Sequence, residues 1–131
     1  MTRYILNCIV NDEPCHLNVH ADSIARSFLY MSDCADATWL SMRHMKTGTS
    51  YNIGNPEETS ILNLYHLAVE AAKELGITYH HTPQFDINRA GDPIRRVLDI
   101  SRAGEQLGYA PRVMLKEGLR RTLQWIVKQR Q

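Results

Sequence analysis

The spacing of apolar and polar positions changes several times along the 131 residues. Tyr4, Ile5, Cys8 and Ile9 fall on one helical stripe, so the chain opens inside or at the start of a helix. The turn signal NDEP (11–14) follows. CHLNVH (15–20) then sets Cys15, Leu17 and Val19 against His16, Asn18 and His20, the period of a half-buried strand. SFLYM (27–31) is an apolar run suited to a second strand. Ser32 or Asp33 can cap a helix reaching about Met45, because either side-chain oxygen can accept a first-turn amide. TSYNI (49–53) predicts a strand that ends at the turn GNP (54–56). Ser60 then precedes the clearest helix, in which Ile61, Leu64, Ala68, Ala71 and Leu75 repeat at three- and four-residue intervals before Gly76 stops it. Residues 77–80 read as a strand and 82–92 as a loop with Pro83 and Gly91. Asp99 caps a short helix ending at Gly108, and a last helix spans about 115–128 with Leu115, Leu119, Leu123, Ile126 and Val127 on its buried stripe. Helices and short strands thus alternate irregularly, which gives an α/β or α+β class for a single domain, 1–131.

Composition narrows the function classes. Fifteen basic against 14 acidic residues give no charge excess of the kind a nucleic-acid binder needs, so no nucleic-acid partner is expected. No apolar run is long enough to span a bilayer, and Asn7 interrupts the first ten residues before they could form a signal-peptide core. A cytoplasmic chain without a membrane partner is the expectation. The three cysteines, Cys8, Cys15 and Cys34, contain no C-x-x-C and read as buried or incidental thiols. His80 and His81, if on a strand, point to opposite faces and cannot share an ion, and no metal is expected. No serine or cysteine sits in a nucleophile elbow. Arg120, Arg121, Lys128 and Arg130 read as the solvated face of the last helix beside Glu117.

Arg95 and Arg96 stand out in GDPIRRVLDISRA (91–103), between a turn and a helix start. A guanidinium in such a loop can bind phosphate bidentately, or it can pair with carboxylates such as Asp92 or Asp99. Local chemistry leaves both roles open.

The order of four motifs adds to this. RSFLYMSD (26–33), SYNIGNPEETSI (50–61), GDPIRRVLDISRAGEQLGYAPRV (91–113) and LKEGLRRTLQWI (115–126) together resemble the C-terminal substrate-binding part of the extended short-chain dehydrogenases that act on nucleotide sugars. These are the NAD-dependent epimerases, 4,6-dehydratases and UDP-glucuronate decarboxylases. The resemblance covers nearly the whole chain. It implies a small substrate-binding lobe of helices and short strands, in which Arg26 and Arg96, with Arg95 next to it, contact the diphosphate of the nucleotide sugar. Asn52 and Gly54 match the family's NIG turn, a structural element.

The departures limit what the resemblance carries over. These residues contain no G-x-G-x-x-G and no Tyr-x-x-x-Lys, so the family's Rossmann part is lacking and no cofactor is expected in this chain, although NAD serves the parent family. The expectation is a truncated lobe without activity alone, with residues 1–10 the remnant of a helix leading out of a Rossmann domain. Its partners would be a nucleotide sugar, bound weakly or not at all by the lobe alone, and a second copy or a Rossmann-bearing chain. The stretch NVHADSIA (18–25) lacks the paired glycines common there, and Met114 stands where the family has a polar helix cap, a loss of about 0.5–2 kcal/mol. The rival expectation is a non-catalytic interaction module that self-associates or pairs with a partner chain.

Overall fold

A computed structural model describes every residue except Met45, Arg89, Ala90, Asp92 and Gln131. The expected helix end at Met45 and the ion-pair partner Asp92 therefore lie outside the described residues.

The first apolar stripe winds into α1 (Thr2–Asn11), which buries Ile5, Leu6, Cys8 and Ile9 and closes on Asp12 in a left-handed conformation. After it come β1 (His16–Asn18) and β2 (Ala25–Ser27). The second strand is earlier than SFLYM predicts, because Phe28 onward leaves the ladder and Met31 already opens α2 (Met31–His44). Asp33 consequently lies inside that helix and does not cap it. Its buried carboxylate instead accepts the backbone amides of Arg112 and Val113, each at 2.9 Å.

TSYNI forms no strand. Its side chains tie it down instead: the Tyr51 hydroxyl donates to Gln106 at 2.9 Å and Asn52 Nδ2 donates to the Asp99 carbonyl at 3.0 Å. The strand comes later, as β3 (Glu58–Ser60), leading directly into α3 (Ile61–Glu74). Ser60 caps α3 as expected, its hydroxyl accepting the Asn63 amide at 3.0 Å. Residues 77–80 are also irregular, and the supposed loop after them contains β4 (Gln84–Ile87). Then come β5 (Arg95–Arg96), α4 (Ser101–Leu107) and α5 (Leu115–Lys128). The α/β class is borne out, with five helices and a few short strands among the described residues.

Among the described residues the strands form two small sheets. β1 pairs in parallel with β4, and β2 lies between antiparallel β3 and parallel β5. The main core joins Ile5, Leu6 and Ile9 of α1 to Leu64, Ala68 and Ala71 of α3 and to Leu119 and Leu123 of α5. Cys15 and Leu17 enter the same core, while Val19, expected to follow them inward, is 40% exposed. The pairing of β1 with β4 shifts register between Leu17 and Asn18, so Asn18 is buried where the alternation would have placed it outside. A second, smaller cluster packs Ala37 of α2 against Ala103, Leu107 and Tyr109 at α4.

Candidate functional site

The three-stranded sheet determines how the arginines are arranged. Ala25 of β2 is in register with Arg95 and Arg26 with Arg96, so the two arginines expected from separate motifs are cross-strand neighbours. Residues in register share a face of the sheet and consecutive residues alternate. Arg26 and Arg96 therefore occupy one face, with Thr59 of β3 beside Arg26. Arg95 occupies the other. It lies in a strand, where the sequence suggests a loop, and an ion pair is indeed its role here, although with Glu58 of β3 and not with the nearer acid Asp99.

The Arg95–Glu58 contact is close: Arg95 Nε lies 3.0 Å from both carboxylate oxygens and Nη2 lies 2.9 Å from Oε2. Glu58 is in register with Ser27 and so shares the face of Ala25 and Arg95. The hydrogen bond and charge of Glu58 raise the Arg95 guanidinium further above neutral pH. The sequence alone does not single out Glu58, because nothing in ETSI marks a strand and the pairing spans 37 residues.

Arg26 is half-buried. Its Nη1 donates to the Ala25 carbonyl at 2.7 Å and to the Ile94 carbonyl at 3.3 Å, which draws the guanidinium toward the start of β5. It also lines a cavity of about 210 Å³ between the two sheets, with Ile24, Phe28, Ile61 and Ile87 as apolar wall and Asn18 as a polar one. Asn18 Oδ1 accepts the His20 amide at 2.9 Å. Arg96 is exposed and makes no ion pair among the described residues. Two cations on one sheet face, next to a partly apolar cavity, can hold a compact dianion whose remainder is less polar.

The NIG turn is built into the scaffold around this sheet. Besides the Asn52 bond to Asp99, the buried Tyr109 hydroxyl donates to the Gly54 carbonyl at 2.8 Å. Asp99 Oδ1 accepts the amide and hydroxyl of Ser101 at 2.9 and 2.6 Å, which lowers its pKa and steadies the start of α4.

Other candidates resolve differently. His80 and His81 do not point apart, because residues 77–80 are not a strand. Both rings turn to Asp12, His80 Nδ1 at 2.8 Å from Oδ2 and His81 Nε2 at 2.8 Å from the backbone carbonyl. Among the described residues no three His, Cys, Asp or Glu side chains are grouped to hold a metal ion. Cys8 and Cys15 are buried and Cys34 is half-buried; burial pushes the Cys15 thiol up to about 12. Glu117 accepts from both Arg120 and Arg121, which hold its carboxyl at about 2, so these two arginines of the basic face are paired within α5. No helix among the described residues is long and apolar enough to cross a membrane.

Comparison with known proteins bears on the fold just described. A family profile described as GDP-mannose 4,6 dehydratase matches residues 1–122. UDP-glucuronic acid decarboxylase 1 of Arabidopsis thaliana is 41% identical over 96 residues, covering 73% of this chain and 21% of that protein. UDP-glucose 4-epimerase of Thermotoga maritima, solved with UDP-glucose, shares the fold with a TM-score of 0.90 at 26% identity. That match covers 99% of this chain and 40% of the epimerase. UDP-glucuronic acid 4-epimerase of Bacillus cereus, solved with UDP-glucuronic acid and NAD, matches at 25% identity and a TM-score of 0.80, over 98% of this chain and 40% of that one. The chain thus spans less than half the length of each of these relatives.

Proposed function

The chain belongs to the NAD-dependent nucleotide-sugar epimerase/dehydratase family of the extended short-chain dehydrogenases, and from that premise we propose that its 131 residues form the lobe that binds the diphosphate of a nucleotide sugar. Arg26 and Arg96 are the two contacts. The observation that carries this reading is their register pairing across β2 and β5, which joins two distant motifs on one sheet face. A diphosphate carries charge on both phosphoryl groups, and two neighbouring guanidinium groups can each take one of them without competing. The cavity beside Arg26 gives the less polar part of the ligand a place next to its phosphates.

NAD does not fit these residues. The strand that runs straight into a helix, β3 into α3, has no glycine anywhere between Glu58 and Glu74, so its backbone cannot approach a pyrophosphate in the manner of a dinucleotide fold. The lobe by itself therefore binds and orients; hydride transfer belongs to groups that these residues do not include.

Titration of the chain with UDP-glucose, followed by amide chemical shifts, tests the assignment. Each charge-assisted contact is worth roughly 1.5–3 kcal/mol, so Arg96→Ala should weaken binding about 10- to 100-fold. No binding at millimolar UDP-glucose, or binding untouched by Arg96→Ala, would sink it.

A second reading, a module that associates with itself or a partner chain, draws on a different observation. Met31, Trp39 and Met42 on α2 are 76%, 58% and 74% exposed, and Trp125 on α5 is 61% exposed. Exposed side chains of this size mark contact surfaces when they are contiguous. Light scattering tests its self-association arm, which a monomer at high concentration excludes.

A further inference from the structure

We infer that Asn18 determines specificity at the diphosphate site: its side-chain amide donates to an acceptor oxygen on a ring that the diphosphate carries. This rests on the diphosphate reading given above and adds the residue that tells a nucleotide sugar from a bare diphosphate.

In a regular strand Asn18 would not face inward. Leu17 before it is fully buried, and the next side chain of a strand turns to the opposite face. The register shift between Leu17 and Asn18 cancels that alternation, so both are buried and Asn18 comes opposite Ile87. The Val19 amide holds the shifted pairing by donating to the Ile87 carbonyl at 2.9 Å. Asn18 and Ile87 both line the cavity of about 210 Å³ that Arg26 also lines. A carboxamide from one sheet and a guanidinium from the other thus meet at one space.

The direction of the carboxamide is fixed as well. Its oxygen accepts the His20 amide at 2.9 Å, and only the oxygen end can do so. The NH2 end therefore points elsewhere. Nothing among the described residues accepts from Asn18 Nδ2, although Asn18 is only 6% exposed. The donor is not sealed off from solvent, and the cavity is the space that Asn18 lines. A buried donor of this kind is costly unless something else accepts from it. The side chains of Ile24, Phe28, Ile61 and Ile87 around it have no acceptor to give. With the Arg26 guanidinium on a phosphoryl oxygen, Asn18 Nδ2 is left for an oxygen further along the ligand. Two parts of a nucleotide sugar offer one: the uridine, through a carbonyl or ribose oxygen, and the hexose, through a hydroxyl.

The test compares UDP-glucose with inorganic pyrophosphate, each followed by amide chemical shifts, in the unaltered chain and in Asn18→Leu. Leucine is close to asparagine in size and uncharged but has no hydrogen to donate. His20 is exposed, so the amide released by the substitution can turn to water. Loss of one hydrogen bond should weaken UDP-glucose about 2- to 12-fold more than pyrophosphate. UDP then locates the acceptor: a loss equal to that of UDP-glucose puts it on the uridine, and a loss confined to UDP-glucose puts it on the hexose. In the unaltered chain, the Asn18 side-chain NH2 resonances should move with UDP-glucose and move less with pyrophosphate. These resonances alone decide if Asn18→Leu does not fold. Equal losses for the two ligands in a folded Asn18→Leu, or Asn18 resonances that stay in place as UDP-glucose saturates the chain, overturn the role of Asn18. The diphosphate reading survives that result as long as Arg96→Ala still weakens both ligands. An Arg96→Ala chain that binds both as tightly as the unaltered one overturns the diphosphate reading and this inference with it.

Discussion

Asp12 adopts φ 54° and ψ 47°, a left-handed backbone that among non-glycine residues asparagine and aspartate tolerate best. There it gathers the segment after α3: the His80 amide donates to Oδ1 at 2.9 Å, and the His80 ring meets Oδ2. That amide, followed by the His80 ring, holds the Asp12 carboxyl below its ordinary value of 3.8. A carboxyl depressed in the folded state contributes stability above its unfolded pKa and loses that contribution as pH falls through its folded value. Asp12→Asn keeps the left-handed conformation and an acceptor for the His80 amide but removes the charge. The variant should therefore unfold at lower denaturant than the parent at pH 7, with the gap closing as pH is lowered toward the folded-state value. Denaturant midpoints at neutral pH and in acid below the unfolded carboxyl value check this, and a gap that widens in acid contradicts it. The same carboxylate explains why the sequence misleads about His80 and His81: strand alternation does not apply to a segment whose backbone is fixed by bonds to a residue 68 and 69 positions away.

At the scale of elements, the helices are legible in the sequence and most strands are not. α3 and α5 are 14 residues each and bury one stripe, long enough for a 3.6-residue period to stand out, and the predicted bounds of α5 agree with the observed ones. The strands are two to four residues long, too short for a period of two to be distinguished from chance. TSYNI and residues 77–80 have the composition of strands, yet their backbones are held by Tyr51, Asn52 and Tyr79 side chains bonding to distant partners. The site shows the same division. Arg26 and Arg96 can be nominated from motif order, whereas Glu58 and the opposite facing of Arg95 follow only from register. The cap of α3 is one local signal that holds, and it can be tested directly. Ser60→Ala leaves the Asn63 amide without its side-chain acceptor, an expected loss of about 0.5–2 kcal/mol in unfolding free energy. Because Ser60 also ends β3, beside Ala25, UDP-glucose binding in this variant shows whether the cap matters to the sheet as well as to the helix. α5 provides the contrast: Met114 offers no side-chain cap, as its sequence implies, and Met114→Ser should gain stability if the new hydroxyl reaches the first-turn amides.

In the whole molecule, the two apolar clusters are unequal and the polar link between their elements is specific. The α1, α3 and α5 core is built from large side chains such as Ile5, Leu6, Leu64 and Leu123, all fully buried. The cluster between α2 and α4 has alanine at two of its four buried positions, Ala37 and Ala103. Apolar burial therefore holds α2 and α4 much less strongly than it holds the helices of the main core. The carboxylate of Asp33 offsets part of this difference by tying α2 to the Arg112 and Val113 amides, just before α5 begins. Segments with less buried apolar surface open at lower free energy than the global transition, so amide hydrogens in α2 and α4 should exchange faster than those in α3 and α5 under native conditions. Asp33→Ala leaves two amides without their acceptor and should lower the opening free energy of α2 by about 1–3 kcal/mol. Protection in the middle of α3 should hardly change, because Leu64 and Ala68 belong to the other cluster and not to the one this link serves. Hydrogen exchange measured residue by residue on the parent and the variant separates the cases. If α3 loses as much protection as α2, the chain opens as one cooperative unit, and the division into a strong core carrying the sheets and a weaker α2–α4 layer is wrong.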